Sequence, residues 1–203
     1  MTATEFDVII CGYGPVGQMA ANILGRAGHR VLALEQWEGI YNLPRAVHTD
    51  DETMRIYQSI GLAEKLIPNM HVGTARMAEF LNASGKVIFE LEGPVDGKSG
   101  WASHYFFHQP EVEACLDTAA RAHQCVEVRN NARVIALDEQ DESVTVQIED
   151  PRNGKKSSAT AKFIIGADGA SGFVRDAAGI VYDDLGFDEA WLVLDIIVND
   201  WST

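Results

Sequence analysis

Apolar residues fall along this chain in two rhythms, and the switches between them mark out its elements. "FDVIIC" (6–11) is a short β-branched run that ends in glycines, the pattern of a parallel strand buried on both faces. Val16 to Ala27 is Ala-rich and helix-forming and is stopped by Gly28, after which Arg30 to Glu35 returns to a strand pattern. Strand, tight glycine turn, helix and strand make a βαβ unit. Asp50 to Gly61 then reads as a helix, with acids in the first turn where they favour the helix dipole and Gly61 as its stop.

From 75 to 92 the rhythm changes. Two apolar-rich runs around an Asn82–Gly85 turn predict a hairpin inserted between helical pieces, and Pro94 to Gly100 is loop. His104 and His108 fall in a strand whose aromatic run, Tyr105, Phe106 and Phe107, reads as core. Pro110 sits at a first helical position, followed by Glu111 and Glu113, and its helix runs to about His123. Strands follow at about 132–137, 144–149 and 158–165, separated by an acidic turn (Asp138, Glu139, Asp141, Glu142) and by "DPRNGKK", whose Asn153-Gly154 signals a hairpin. "WLVLDIIVNDW" (191–201) reads as one more strand. This order predicts an α/β fold with a Rossmann-like βαβ domain and a β-meander.

Composition narrows the function. With 203 residues, 46% of them apolar, the chain has room for one large domain, or one domain and part of another. Sixteen Lys and Arg stand against 30 Asp and Glu, a net charge of -14 that would repel a polyphosphate duplex, so no nucleic-acid partner is expected. Three cysteines (Cys11, Cys115, Cys125), with no C-x-x-C pair, argue against a disulfide framework or a zinc site and for a reducing compartment, the cytoplasm. Glu5 and Asp7 stand where a signal peptide would need basic and then apolar residues. The longest apolar runs are strand-sized, so neither a leader nor a membrane contact is expected.

The candidate chemistry begins at Gly12, Gly14 and Gly17, a G-x-G-x-x-G directly after a strand and at the mouth of a helix. The first glycine allows the tight turn, the second lets the backbone approach a pyrophosphate, and the third lets helix pack on strand. Pro15 and Val16 open the helix whose N–H groups would meet the phosphates. Ala21 and Gly28 are expected to keep that helix close to the sheet. Seventeen residues separate Gly17 from Glu35, whose carboxylate is expected to accept hydrogen bonds from a ribose diol and to repel a 2′-phosphate, with Gln36 beside it. The motif therefore points to an ADP moiety, of NAD or of FAD.

Three further stretches follow: "NLPRAVHTDDE" (42–52), "HQPEVEACL" (108–116) and "FIIGADGASGFVR" (163–175). With them the whole chain resembles the FAD-dependent aromatic hydroxylases, the group containing p-hydroxybenzoate hydroxylase. Within that group it is most similar to 3-(3-hydroxyphenyl)propionate hydroxylases, chiefly through "PRAVH" and "QPE". The resemblance implies FAD as cofactor, with Arg45 at the ribityl and phosphate region. It also implies Gln109 on the ribityl–phosphate linkage, because glutamine is a poor N-cap and leaves its amide free. Asp168-Gly169 with Arg175 matches a fingerprint linked in the family to both FAD and the reduced pyridine nucleotide, and Asp168 can also cap the helix after it. One departure weakens the nucleotide role: Gly172 stands where the family usually has serine, and Ser171 is one place early.

By the same resemblance, NADH or NADPH supplies electrons and one atom of O2 goes to a phenolic aromatic substrate. The cofactor carries the difficult step, consistent with the lack of G-x-S-x-G, H-E-x-x-H or a Cys–His pair. His48, three residues after Arg45, is the candidate catalytic group for the phenol proton; its alternatives are packing under the flavin or capping the 50–61 helix. The implied domains are an FAD-binding Rossmann-like unit at 1–72 and 104–182 and a partial substrate-domain sheet at 73–103 and 183–203. A later Gly-Asp motif and most of that sheet are missing, which leaves the final strand an open edge for a second copy or a complementing chain. Two other readings stand beside this one: a nucleotide-binding module inactive by itself, and an NAD-dependent dehydrogenase.

Overall fold

The uninterrupted apolar run at 6–11 becomes β1 (Phe6–Cys11), a central strand in the computed structural model, which describes residues 5–42, 45–190 and 192. There follow α1 (Pro15–Arg26), β2 (Val31–Leu34), β3 (His48–Asp50), α2 (Asp51–Ser59), α3 (Ala63–Leu66) and β4 (Met70–Val72). After these come β5 (Arg76–Leu81), β6 (Val87–Glu92), β7 (His104–Phe107), α4 (Gln109–Arg121) and β8 (Val126–Arg129). The described elements close with β9 (Arg133–Gln140), β10 (Ser143–Glu149), β11 (Lys156–Gly166) and α5 (Phe173–Ala177).

Six strands form one sheet in the order β8-β2-β1-β11-β10-β9. β1 runs parallel to both β2 and β11, and β2 parallel to β8, while β11, β10 and β9 form the expected antiparallel meander. Alternate residues of β1 and β2 serve opposite faces. Ile9, Leu32 and Leu34 pack with Val146, Ile148 and Val174 of α5. Val8, Ile10, Val31 and Ala33 pack beneath Ala21 of α1 and Ala120 of α4. Two smaller sheets lie in the 48–107 region: β3-β7-β4, and the β5-β6 hairpin.

Local chemistry explains the boundaries. Asp50 caps α2 by accepting from the Thr53 N–H at 2.8 Å, so the capping residue is Asp50 rather than His48. On α1, Gly17, Ala21 and Gly25 lie one turn apart and are all buried. A Cβ on Gly25 would crowd Val126 and the His123 ring, whereas one on Gly28 would meet nothing within 4 Å. Close helix packing is therefore the work of Gly25, and Gly28, at φ +84, serves as the left-handed helix stop.

Other differences have equally local causes. β8, β3 and β4 are three or four residues long, too short for a period-two pattern to be read. His108 is the N-cap of α4 and lies outside β7. Asp138 and Glu139 belong to β9, which leaves Asp141 and Glu142 as the turn. The strand expected at 191–201, with its proposed open edge, lies outside the described residues except for Leu192. Among the described residues no helix is long and apolar enough to cross a membrane, and all three cysteines are free.

Candidate functional site

A cleft of ≈ 710 Å³ opens beyond the C-terminal ends of β1 and β2, within the size range of small-molecule sites. Gly12, Gly14, Pro15, Val16, Glu35, Gln36, Arg45, Gln109 and Asp168 all line it. Gly17 lies just beneath, buried in α1.

The three glycines divide their tasks by what surrounds them. Gly12 has φ +93, and a Cβ there would fall on the Ala167 carbonyl of the chain leaving β11. A Cβ on Gly17 would fall on the Gly12 carbonyl. Around Gly14 nothing lies within 4 Å, so its bare backbone faces open cleft. α1 has Gly14 as N-cap with no side-chain cap bond, and no acid in its first turn. The first N–H groups of α1 are thus without a side-chain acceptor, in the arrangement that binds phosphates. The residues present fit a dinucleotide.

Glu35 does more than the sequence suggested. Its Oε2 accepts from the Tyr13 N–H at 2.9 Å and its Oε1 from the Trp37 N–H at 3.1 Å, tying the end of β2 to the glycine turn. Each oxygen keeps a second lone pair for a hydroxyl donor. The Arg45 guanidinium lies 4.9 Å from the Tyr41 ring centroid.

The expectation of a free amide at Gln109 is corrected. Its Oε1 accepts from the N–H groups of Arg45 (2.6 Å) and Ala46 (2.8 Å), and its Nε2 donates to Glu113 Oε1 (2.7 Å). Glu113 Oε2 in turn accepts from Gln18 Nε2 at 3.3 Å, and the same nitrogen donates to the Tyr13 carbonyl at 3.1 Å. A buried polar line therefore joins the Arg45 loop to the glycine turn. Sequence reasoning missed Gln18 and gave Glu113 no role beyond following Pro110 in the helix; the i, i+4 spacing of Gln109 and Glu113 was the signal to follow. Gln109→Leu is expected to cost about 2 kcal/mol through two orphaned N–H groups. That should lower Tm by about 4–8 °C in thermal unfolding, and an unchanged Tm would contradict this anchoring.

Asp168 accepts from the Val174 N–H at 3.0 Å and so caps α5; the Cys11 thiol lies 3.7 Å from the same oxygen. Burial, reinforced by the Asp168 charge, pushes the Cys11 thiol up to about 12. A Cβ on Gly172 would fall on the Asp168 carboxylate. The glycine at 172 thus leaves room for the cap.

His48 is brought elsewhere. It sits in β3 opposite Phe106, its Nε2 is 3.0 Å from His104 Nδ1, and it is not among the described residues lining the cleft. Burial, then the neighbouring His104, lowers its pKa, with Asp50 opposing.

Compared with known families, residues 5–203 match the FAD binding domain. The chain belongs to the FAD binding domain family. A probable NADH-specific resorcinol 4-hydroxylase of Rhodococcus jostii (strain RHA1) is 40% identical over 194 residues, 95% of this chain and 36% of that protein. A 3-(3-hydroxy-phenyl)propionate/3-hydroxycinnamic acid hydroxylase of Mycobacterium sp. (strain JLS) is 34% identical over 197 residues, 97% of this chain and 33% of that protein. Among solved structures, p-nitrophenol 4-monooxygenase from Pseudomonas putida DLL-E4 superposes with a TM-score of 0.78 at 29% identity, over 89% of this chain and 45% of that one. The chain spans about a third of the length of the curated relatives it matches. As an FAD binding domain it takes FAD rather than NAD, and both the aromatic-hydroxylase resemblance and the α/β fold read from the sequence are borne out.

Proposed function

We propose that the cleft holds FAD, and that the whole protein is a flavoprotein monooxygenase that hydroxylates a phenol with NADH or NADPH and O2. The observation that carries the cofactor reading is Gly14: its open backbone stands before a helix whose first N–H groups lack side-chain acceptors. In this reading the N–H groups of Gly14 and Val16 meet the diphosphate, Pro15 opens the helix, and Gly12 and Gly17 let the turn and α1 pack closely beneath it. Glu35, with Gln36 beside it, accepts from the adenosine ribose. Arg45 offsets phosphate charge, and Gln109 acts through the Arg45 loop that it anchors. Asp168 shapes the turn before α5. Bound FAD would supply the redox and oxygen-activating chemistry.

His48 would accept the phenol proton: its lowered pKa keeps the imidazole neutral near pH 7, and His104 stands behind it. The substrates named for the two curated relatives, resorcinol and 3-(3-hydroxy-phenyl)propionate, are both meta-substituted phenols. We infer the same class here. The proposed division is an FAD-binding unit at 1–72 and 104–182 with a partial substrate sheet at 73–103 and 183–203; the free cysteines favour a cytoplasmic setting.

The test is the visible spectrum after adding FAD and removing the excess. A retained yellow flavin is expected, and a colourless protein would overturn the cofactor reading. Phenol-stimulated oxidation of NAD(P)H by the whole protein then separates a hydroxylase from a binding module.

A further inference from the structure

Among the described residues Glu113 is the only charged side chain that is buried, at 3% exposure, and it lines the cleft. Its two oxygens are bonded to neutral amides, Gln109 at 2.7 Å and Gln18 at 3.3 Å. The other acids of the cleft are held differently. Glu35 and Asp168 accept main-chain N–H groups, Asp117 is paired with Arg121 at 2.7 Å, and Glu38 is exposed. A second observation lies in the same network: Gln18 is fully buried and its Oε1 has no hydrogen-bond partner. A carboxylate can only accept, whereas a carboxylic acid also donates, and a turn of the Gln18 amide would present its unpartnered Oε1 to the Glu113 oxygen that Nε2 now meets.

We propose that Glu113 is a proton-linked positioning residue of the cofactor site, taking up one proton from solvent when the diphosphate of FAD enters the cleft. This rests on the FAD reading given above. Two like charges brought into one poorly solvated cleft raise the free energy of the ionised carboxyl, and the proton removes that repulsion. Burial already pushes the Glu113 pKa up, with Glu35 adding to the effect and Arg45 and the two amides opposing it. The groups facing it are Arg45 of the loop, Glu35 at the end of β2 and Tyr57 of α2, with Asp117 one turn along α4; α1 contributes the neutral Gln18 and Asn22. The neutral acid holds Gln109 and Gln18 in place, keeping the Arg45 loop and the glycine turn in register with the ligand.

The sign follows from linkage. Bound FAD raises the pKa further, so affinity is greatest below the free-state pKa. It falls as pH climbs through the bound-state pKa, by at most about tenfold in Kd per pH unit. Calorimetric titration of the wild-type chain with FAD, in buffers of different ionisation enthalpy, is expected to show net uptake approaching one proton per flavin. Glu113→Gln should abolish that uptake and flatten the pH dependence of Kd. Uptake that persists unchanged in Glu113→Gln, or no uptake by the wild type between about pH 5 and 8, would overturn the proposal. Should Glu113→Gln fail to fold, infrared difference spectra of the wild type with isotope-labelled glutamate decide. A protonated-carboxyl band that appears on FAD binding supports the assignment, and its absence sinks it. Failure of FAD to bind at all is a separate result, which removes the cofactor reading itself.

Discussion

Gly12→Ala is expected to destabilise the protein by about 3 kcal/mol or more and to abolish FAD retention. Two independent effects add. A side chain at φ +93 adopts a left-handed backbone that costs about 1–2 kcal/mol. Its Cβ also falls on the Ala167 carbonyl, which cannot yield because the Ala167 N–H is bonded to the Cys11 carbonyl at 2.7 Å; such overpacking costs about 1–3 kcal/mol. Against a total stability of about 5–15 kcal/mol this is a large fraction. Gly14→Ala supplies the contrast, since φ there is -73 and nothing lies within 4 Å. That variant should stay within about 0.5 kcal/mol of the wild type while holding FAD more weakly. Chemical denaturation paired with flavin titration separates the two, and equal midpoints for Gly12→Ala and wild type would refute the close contact.

Glu35→Lys should raise the Kd for FAD by about 100-fold. The substitution removes the acceptors of the Tyr13 and Trp37 N–H groups and places a cation where a ribose diol needs an acceptor. Two charge-assisted hydrogen bonds at about 1.5 kcal/mol each give about 3 kcal/mol, close to a hundredfold. Glu35→Gln retains one acceptor oxygen and should fall between. The quenching of flavin fluorescence on binding reports both, and an unchanged Kd for Glu35→Lys would mean that this carboxylate does not meet the ligand.

Much of the frame was legible because it is written in short-range signals. The β1–α1–β2 unit follows from a β-branched run, a glycine turn and an Ala-rich helix, each read within a dozen residues. The hairpin at β5 and β6 and the β10–β11 turn of the meander were announced by asparagine and glycine, Gly85 and Gly154 both having positive φ, and the β9–β10 turn by its acids. What stayed hidden depends on tertiary neighbours. The Gln18–Glu113 bond joins residues 95 apart in the chain, and the His48–His104 contact spans 56. Gly25 and Gly28 look alike in sequence, and only the side chains of Val126 and His123 opposite Gly25 separate packing from helix termination. At the site, most of the residues named from the glycine motif and the family resemblance line one cleft, with Gly17 beneath it and His48 outside it, but Gln109 was given to a ligand when its amide holds the main chain of Arg45 and Ala46.

The sulfur at the end of β1 bears on how this domain would tolerate oxidants formed at a bound flavin. Oxidants attack the thiolate, and susceptibility follows thiolate character and access. Cys11 lines the cleft yet is 6% exposed, and beside Asp168 its proton is held to about pH 12. Reactive oxygen species leaking from a flavin seated there would meet a neutral, shielded sulfur, and inactivation by thiol oxidation should begin at Cys115 or Cys125 instead.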